Sequence, residues 1–125
     1  MMIRKLTTCG AATGIGLMLL AGCAGLEPPP TANPDPAVLG ALERTSANEC
    51  NPSVASVLTG AKVPAGSIRG VSYGLYRDIN TGRIVRYDAW VGLTDQPGSL
   101  VVTVDDFCRP IQIYARGGAA LPSAR

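Results

Sequence analysis

The chain has 125 residues, with eleven Lys or Arg against nine Asp or Glu, no histidine, and a formal charge of +2. A length of this order supports one small domain. No run of Lys or Arg is present, which excludes a nucleic-acid footprint and a polybasic lipid patch; a nucleophilic serine would also lack a histidine partner.

The chain opens with Arg4 and Lys5, followed by an uncharged run from Cys9 to Leu20 that ends in Ile15-Gly16-Leu17-Met18-Leu19-Leu20. This pattern predicts a secretory signal peptide over residues 1–22. The run is too short and too rich in Gly and Thr to span a bilayer, which takes about 20 apolar residues.

Directly after it, Leu20-Ala21-Gly22-Cys23 resembles the lipobox of bacterial lipoproteins at all four positions. The resemblance implies that the Cys23 thiol takes a diacylglyceryl group, that a lipoprotein signal peptidase cuts before Cys23, and that the new amino terminus is acylated. One acyl chain holds a protein reversibly and two or more hold it stably, so membrane lipid is the first partner expected. The alternative is an ordinary signal peptidase cutting near Ala24. Position 24 lacks the Asp that resembles an inner-membrane retention signal, which favours the outer membrane facing the periplasm. The resemblance covers the first 23 residues, and beyond them no family is recognised.

Loss of the signal segment removes Arg4 and Lys5 and leaves nine basic against nine acidic residues. Of the four cysteines, Cys9 leaves with the signal and Cys23 is acylated, so Cys50 and Cys108 remain as a pair in an oxidising compartment. They are expected to form a disulfide, with a contribution of about 4 kcal/mol on the chain-entropy model. A metal site built from two cysteines, without histidine or a CxxC, is the weaker reading, and no cofactor is expected.

Residues 23–36 comprise the acylated cysteine and a linker with five prolines between Ala24 and Pro36. Such a segment predicts an extended spacer reaching about 40 Å at ~3.1 Å per residue, or alternatively a loop packed on the domain. The domain itself is assigned to residues 37–117. Val38, Leu39 and Leu42 fall at helical spacing after Asp35-Pro36, which supplies an N-cap and a first-turn proline. Asn51-Pro52 repeats that start ahead of Val54, Val57 and Leu58, with Gly60 as a natural C-cap.

Strands are predicted over Ile68–Arg77 and Arg83–Leu93, joined through Asn80-Thr81-Gly82 as a three-residue hairpin loop with glycine in the left-handed position. Pairing Ile79 with Arg83 sets Arg77 opposite Val85, Leu75 opposite Tyr87, Tyr73 opposite Ala89 and Val71 opposite Val91. A one-residue slip would scramble the resulting apolar face. Further strands over Ser99–Val104 and Ile111–Arg116 complete an α+β domain, two short helices on a four-stranded antiparallel meander. Residues 118–125 read as a flexible tail.

The other sheet face collects Tyr76, Arg86, Asp88, Trp90, Gln112, Tyr114 and Arg116, with Trp90 over Gly70 and Gly74. Aromatics and arginine on a rigid sheet match the composition of a contact surface. Two other readings stand beside it: Trp90 shields strand glycines among solvated neighbours, or a helix covers this face. Asp105-Asp106 falls in a hairpin turn, where turn chemistry accounts for it, and a serine–lysine pair would have to rely on Lys62. The chain is therefore expected to be a non-catalytic, lipid-anchored envelope protein that binds or scaffolds another envelope component. The runner-up is an inhibitor or binder of an external enzyme or glycan.

Overall fold

The computed structural model describes residues 27–122. The signal segment and Cys23 lie outside the described residues. Helix α1 spans Pro36–Glu43 and starts where Asp35 accepts a hydrogen bond from the Ala37 N–H at 2.9 Å, with proline in the first turn. Helix α2 spans Asn51–Gly60. A short 3-10 turn over Ala65–Ser67 leads into β1 (Ile68–Arg77), β2 (Ile84–Leu93), β3 (Ser99–Asp105) and β4 (Pro110–Arg116). The strands form one antiparallel sheet in the order β1-β2-β3-β4, as the sequence predicts.

The caps of α2 differ from expectation. Cys50, not Asn51, holds the N-cap position, and its N–H is taken by Asn48 Oδ1 at 2.7 Å. Asn51 instead lies fully buried inside the first turn, where it donates to the Ser46 carbonyl at 2.9 Å and accepts from the Tyr73 hydroxyl. At the other end Ala61 is the C-cap, and Lys62 takes the left-handed conformation with φ 67°. The N–H groups of Lys62 and Val63 return to the carbonyls of Thr59 and Leu58, the paired bonds of a Schellman motif. Gly60 serves a different purpose: a Cβ there would stand 2.7 Å from the Pro30 carbonyl oxygen.

That contact corrects the spacer. Ala32 N–H bonds to the Ser56 carbonyl and Asp35 N–H to Thr59 Oγ1, both at 3.1 Å, so the linker is laid along α2 from Pro30 onward. The extended spacer expected over residues 24–36 is therefore absent from Pro30 onward, and residues 24–26 lie outside the described residues. The far end of the domain is corrected in the same sense. Gln96 exchanges two hydrogen bonds with the Ala120 backbone, at 2.9 and 3.1 Å, and Ala119 and Leu121 pack against the core. The segment read as a tail is docked as far as the described residues run.

The β1–β2 pairing holds at Leu75–Tyr87, Tyr73–Ala89 and Val71–Val91 and shifts at the loop, where Arg77 faces Ile84 and Val85 is an extra residue. The loop has four residues, not three, because Asp78 N–H closes on the Arg83 carbonyl at 2.8 Å. The Asp78 carboxylate is what favours the longer loop: it accepts the N–H groups of Asn80 at 2.7 Å and Thr81 at 2.9 Å. Gly82 sits at φ 74°, in the left-handed region as expected.

Both helices pack on one face of the sheet, over Val71, Ala89, Val91, Leu100, Val102 and Val104, all buried. The Cys50–Cys108 disulfide, 58 residues apart in sequence, ties the start of α2 to the β3–β4 turn. A ten-residue helix is about 15 Å long and a ten-residue strand about 33 Å. The helices therefore run out before the sheet does. Leu75 (52% exposed), expected on the apolar face, is left uncovered near the hairpin end, while Val85 (44%) and Ile111 (43%) are exposed as the extra residues of bulges in β2 and β4.

Candidate functional site

The face away from the core is built in rows across the strands. Ser72, Trp90, Val101 and Tyr114 form one row, Gly74, Asp88, Thr103 and Gln112 the next, and Gly70, Gly92, Ser99 and Arg116 the row at the opposite edge. Tyr76, Arg86 and Asp105 make a further row toward the hairpin. Strand alternation thus brings all seven sequence-predicted residues onto a single face, Tyr76 from β1, Arg86, Asp88 and Trp90 from β2, and Gln112, Tyr114 and Arg116 from β4.

These seven do not form one site. Asp88 is only 3% exposed, accepts the Thr103 hydroxyl at 2.8 Å and lies 3.5 Å from Arg86 Nε. Gln112 Nε2 reaches the same hydroxyl at 3.4 Å, and the Arg86 guanidinium lies 4.0 Å from the centre of the Tyr76 ring. Asp88 is a buried anchor, not the solvated neighbour that alternation alone implies. The next group along follows suit: Asp105 accepts the backbone N–H groups of Phe107 and Arg109 at 2.8 Å each, and Arg109 Nε at 2.7 Å. Desolvation alone would push the Asp105 carboxyl up, but the hydrogen bonds from Arg109 and Phe107 together hold it below its usual range. The turn reading of Asp105-Asp106 is carried by these bonds at Asp105, and Asp106 pairs with Arg83 at 3.6 Å.

Around Trp90 the arrangement changes. The indole is half-buried, with its Nε1 standing 3.8 Å from where a Gly74 side chain would begin, so it covers that glycine as expected. At Gly70 the neighbour is Thr45, whose methyl would meet a Cβ at 2.8 Å and whose hydroxyl accepts the Val71 N–H at 2.9 Å. Thr45 thus closes part of the outer edge of β1, where an unpaired N–H would otherwise face solvent. Arg116 lies on the other side of the indole, its guanidinium 5.6 Å from the ring centre. Two adjoining depressions of about 490 and 230 Å³ meet at Trp90 and Ser99, the first bordered by Arg69 and the second by Arg116.

Arg69 was not anticipated from the sequence. Alternation from Val71 points it toward the helices, but a bulge between Ile68 and Gly70 turns it to the opposite face. There its guanidinium crosses Gly92, 3.0 Å from the position of an added Cβ, and donates to the Leu93 carbonyl. The readable signal is the cation itself beside a strand glycine, a combination that marks a bulge more often than an inward charge. Lys62, the candidate for a serine–lysine pair, is exposed at the left-handed position after α2. Among the described residues no cluster of three or more Cys, Asp or Glu side chains is placed to hold a metal.

Comparison with protein-family models, with curated proteins and with solved structures yields no significant match.

Proposed function

We propose that this chain is a lipid-anchored bacterial envelope protein, exported by its first 22 residues and acylated at Cys23, whose domain binds or scaffolds another envelope component without catalysis. The anchor and the outer-membrane placement rest on the lipobox resemblance and on Ala24. The observation that supports the binding role is the distribution of cover: both helices pack on one face of the sheet, whereas Trp90, Tyr114 and Arg116 line the opposite one. Aromatic side chains on a rigid support lose little conformational freedom on binding, and Trp, Tyr and Arg are the residues that dominate contact energies.

In-cell crosslinking and affinity purification of the lipidated protein tests the reading, with wild type compared against Trp90→Ala. A partner recovered by wild type and lost by the variant supports it; recovery unaffected by the variant rejects this face. Cys23→Ser should block lipidation and leave an uncleaved precursor, and mature Cys23→Ser protein still in the membrane fraction would reject the anchor.

A second reading, an inhibitor or binder of an external enzyme, is favoured by the opposite end of the sheet. Ile79 (94% exposed) and Phe107 (70%) stand out from adjacent loops beside Leu75 and Val85. Inhibition of a foreign enzyme by the domain, abolished by Ile79→Ser with Phe107→Ser, would establish it.

A further inference from the structure

The proposed envelope-binding role leaves open what meets the Trp90 face, and the two depressions there are specific enough in chemistry to answer. Resting on that reading, we propose that the trough along Trp90 binds an acidic saccharide, with a sugar ring against the indole and a carboxylate held between Arg69 and Arg116.

The charge comes first. Among the described residues, ion pairs join Arg83 to Asp106, Arg86 to Asp88 and Arg109 to Asp105, all toward the hairpin end, the first and last in its loops. Arg69 and Arg116 make none; their contacts are a backbone carbonyl and the indole. Arg69 lies over Gly92 in β2 and Arg116 springs from β4, with Ser99 of β3 between them in the same row. Two inter-strand spacings, about 10 Å, separate their supports, so the guanidinium groups can converge on one anion above Ser99. A guanidinium presents paired donors that match a carboxylate.

The shape and the remaining polar groups then favour a sugar over a peptide. The larger depression, about 490 Å³, is shallow and open to solvent, a shape for a ligand laid along the sheet surface. Its walls offer hydroxyls from Ser72 and Ser99 beside the Arg69 guanidinium that crosses Gly92, while the Thr45 hydroxyl is occupied by the Leu42 carbonyl and the Val71 N–H. Serine hydroxyls and a guanidinium suit a ligand that carries hydroxyls of its own, and the negative face of the indole attracts the polarised C–H groups of a sugar ring. A protein partner would also need a fully buried apolar centre beside such aromatic and arginine contacts. The exposed large apolar side chains Leu75, Ile79, Val85, Phe107 and Ile111 all lie near the other end of the sheet.

The test uses the full chain and its single tryptophan, whose emission reports on this trough alone. Tetragalacturonate, its methyl ester and a tetraglutamate peptide are titrated separately. The expected result is a saturable change in emission with tetragalacturonate and at least tenfold weaker binding for both the ester and the peptide. Arg69→Gln and Arg116→Gln should each weaken tetragalacturonate about tenfold with unchanged thermal melting. Equal binding of the ester overturns the anion, equal binding of the peptide overturns the saccharide, and no saturable response overturns both. If tetragalacturonate fails while Trp90→Ala still abolishes partner recovery in cells, the envelope-binding reading survives and this ligand assignment alone is rejected.

Discussion

Toward the hairpin end Arg86 on the sheet face and Arg109 and Arg83 in the adjoining loops each lie against a carboxylate, whereas on the other half of the face Arg69 and Arg116 lie against glycine backbone and an indole. The residue types are shared and the partners differ. In the first half the carboxylates are consumed locally, at Asp88 by Thr103 and Arg86 and at Asp105 by the turn it closes, so the groups hold the fold and have little left to offer a ligand. In the second half the cations are positioned by neutral neighbours and keep their capacity for an outside anion. Charge alone therefore does not mark a binding surface; whether the opposite charge is already inside the protein does.

The largest effect available is release of the disulfide, which pins α2 to the β3–β4 turn in the charge-paired half. Replacing Cys50 and Cys108 by serine should cost about 4 kcal/mol, measured by chemical denaturation. Exposure of the Asp105–Arg109 turn should precede any change at Trp90. A loss below about 1 kcal/mol would show that packing alone holds this end.

Asp88→Ala comes next, at about 2 to 3 kcal/mol, because it strands the Thr103 hydroxyl and removes the carboxylate charge facing the buried Arg86 Nε, which has no hydrogen-bond partner of its own. Asp88→Asn should recover part of the loss by keeping an acceptor for Thr103. If the alanine variant melts with wild type, the buried pair is not the support assigned to it here.

Acid should separate the halves without mutation. Backbone hydrogen bonds from Thr81 and Asn80 hold Asp78 below its usual pKa, and Asp105 is also depressed. A depressed carboxylate stabilises the fold above its unfolded pKa, about 3.9, and that stability is lost as pH falls through the lower folded value. Hydrogen exchange between pH 5 and pH 2 should show the amides of Asn80, Thr81, Phe107 and Arg109 losing protection first, with Trp90 emission still native. Burial raises the Tyr73 phenol, so the matching loss at the alkaline end should begin only as pH rises above about 10.

Much of this domain is legible in the sequence because most of its strands alternate cleanly. Val71, Tyr73, Ala89, Val91, Val102 and Val104 fix the register between them, since any slip would expose the set. Both helix starts carry proline in the first turn. What alternation hides is bulges. The bulge before Gly70 turns Arg69 to the far face, and the one at Val85 lengthens the loop to fit the Asp78 carboxylate. The depth of Asp88 was hidden for another reason: its burial comes from neighbours on three strands, which no local pattern encodes. Pro30 against Gly60 and Gln96 against Ala120 are likewise long-range closures.

The finest comparison pits two arginines of the same face against each other. Arg86→Gln removes the cation facing the Asp88 carboxylate and the stacking on Tyr76, and leaves that carboxylate buried with the Thr103 hydroxyl as its remaining partner. The cost should be about 1 to 2 kcal/mol, tempered because the Arg86 side chain is itself 42% exposed. Arg116→Gln removes an exposed cation whose contact is the indole 5.6 Å away, and should cost about 0.5 kcal/mol or less. Denaturation of the two variants side by side measures the difference, and titration with an anionic saccharide should reverse their order, with Arg116→Gln the more impaired. Equal stabilities would mean that Asp88 is held by Thr103 alone and that the division of the face into a supporting and a receiving half is misplaced.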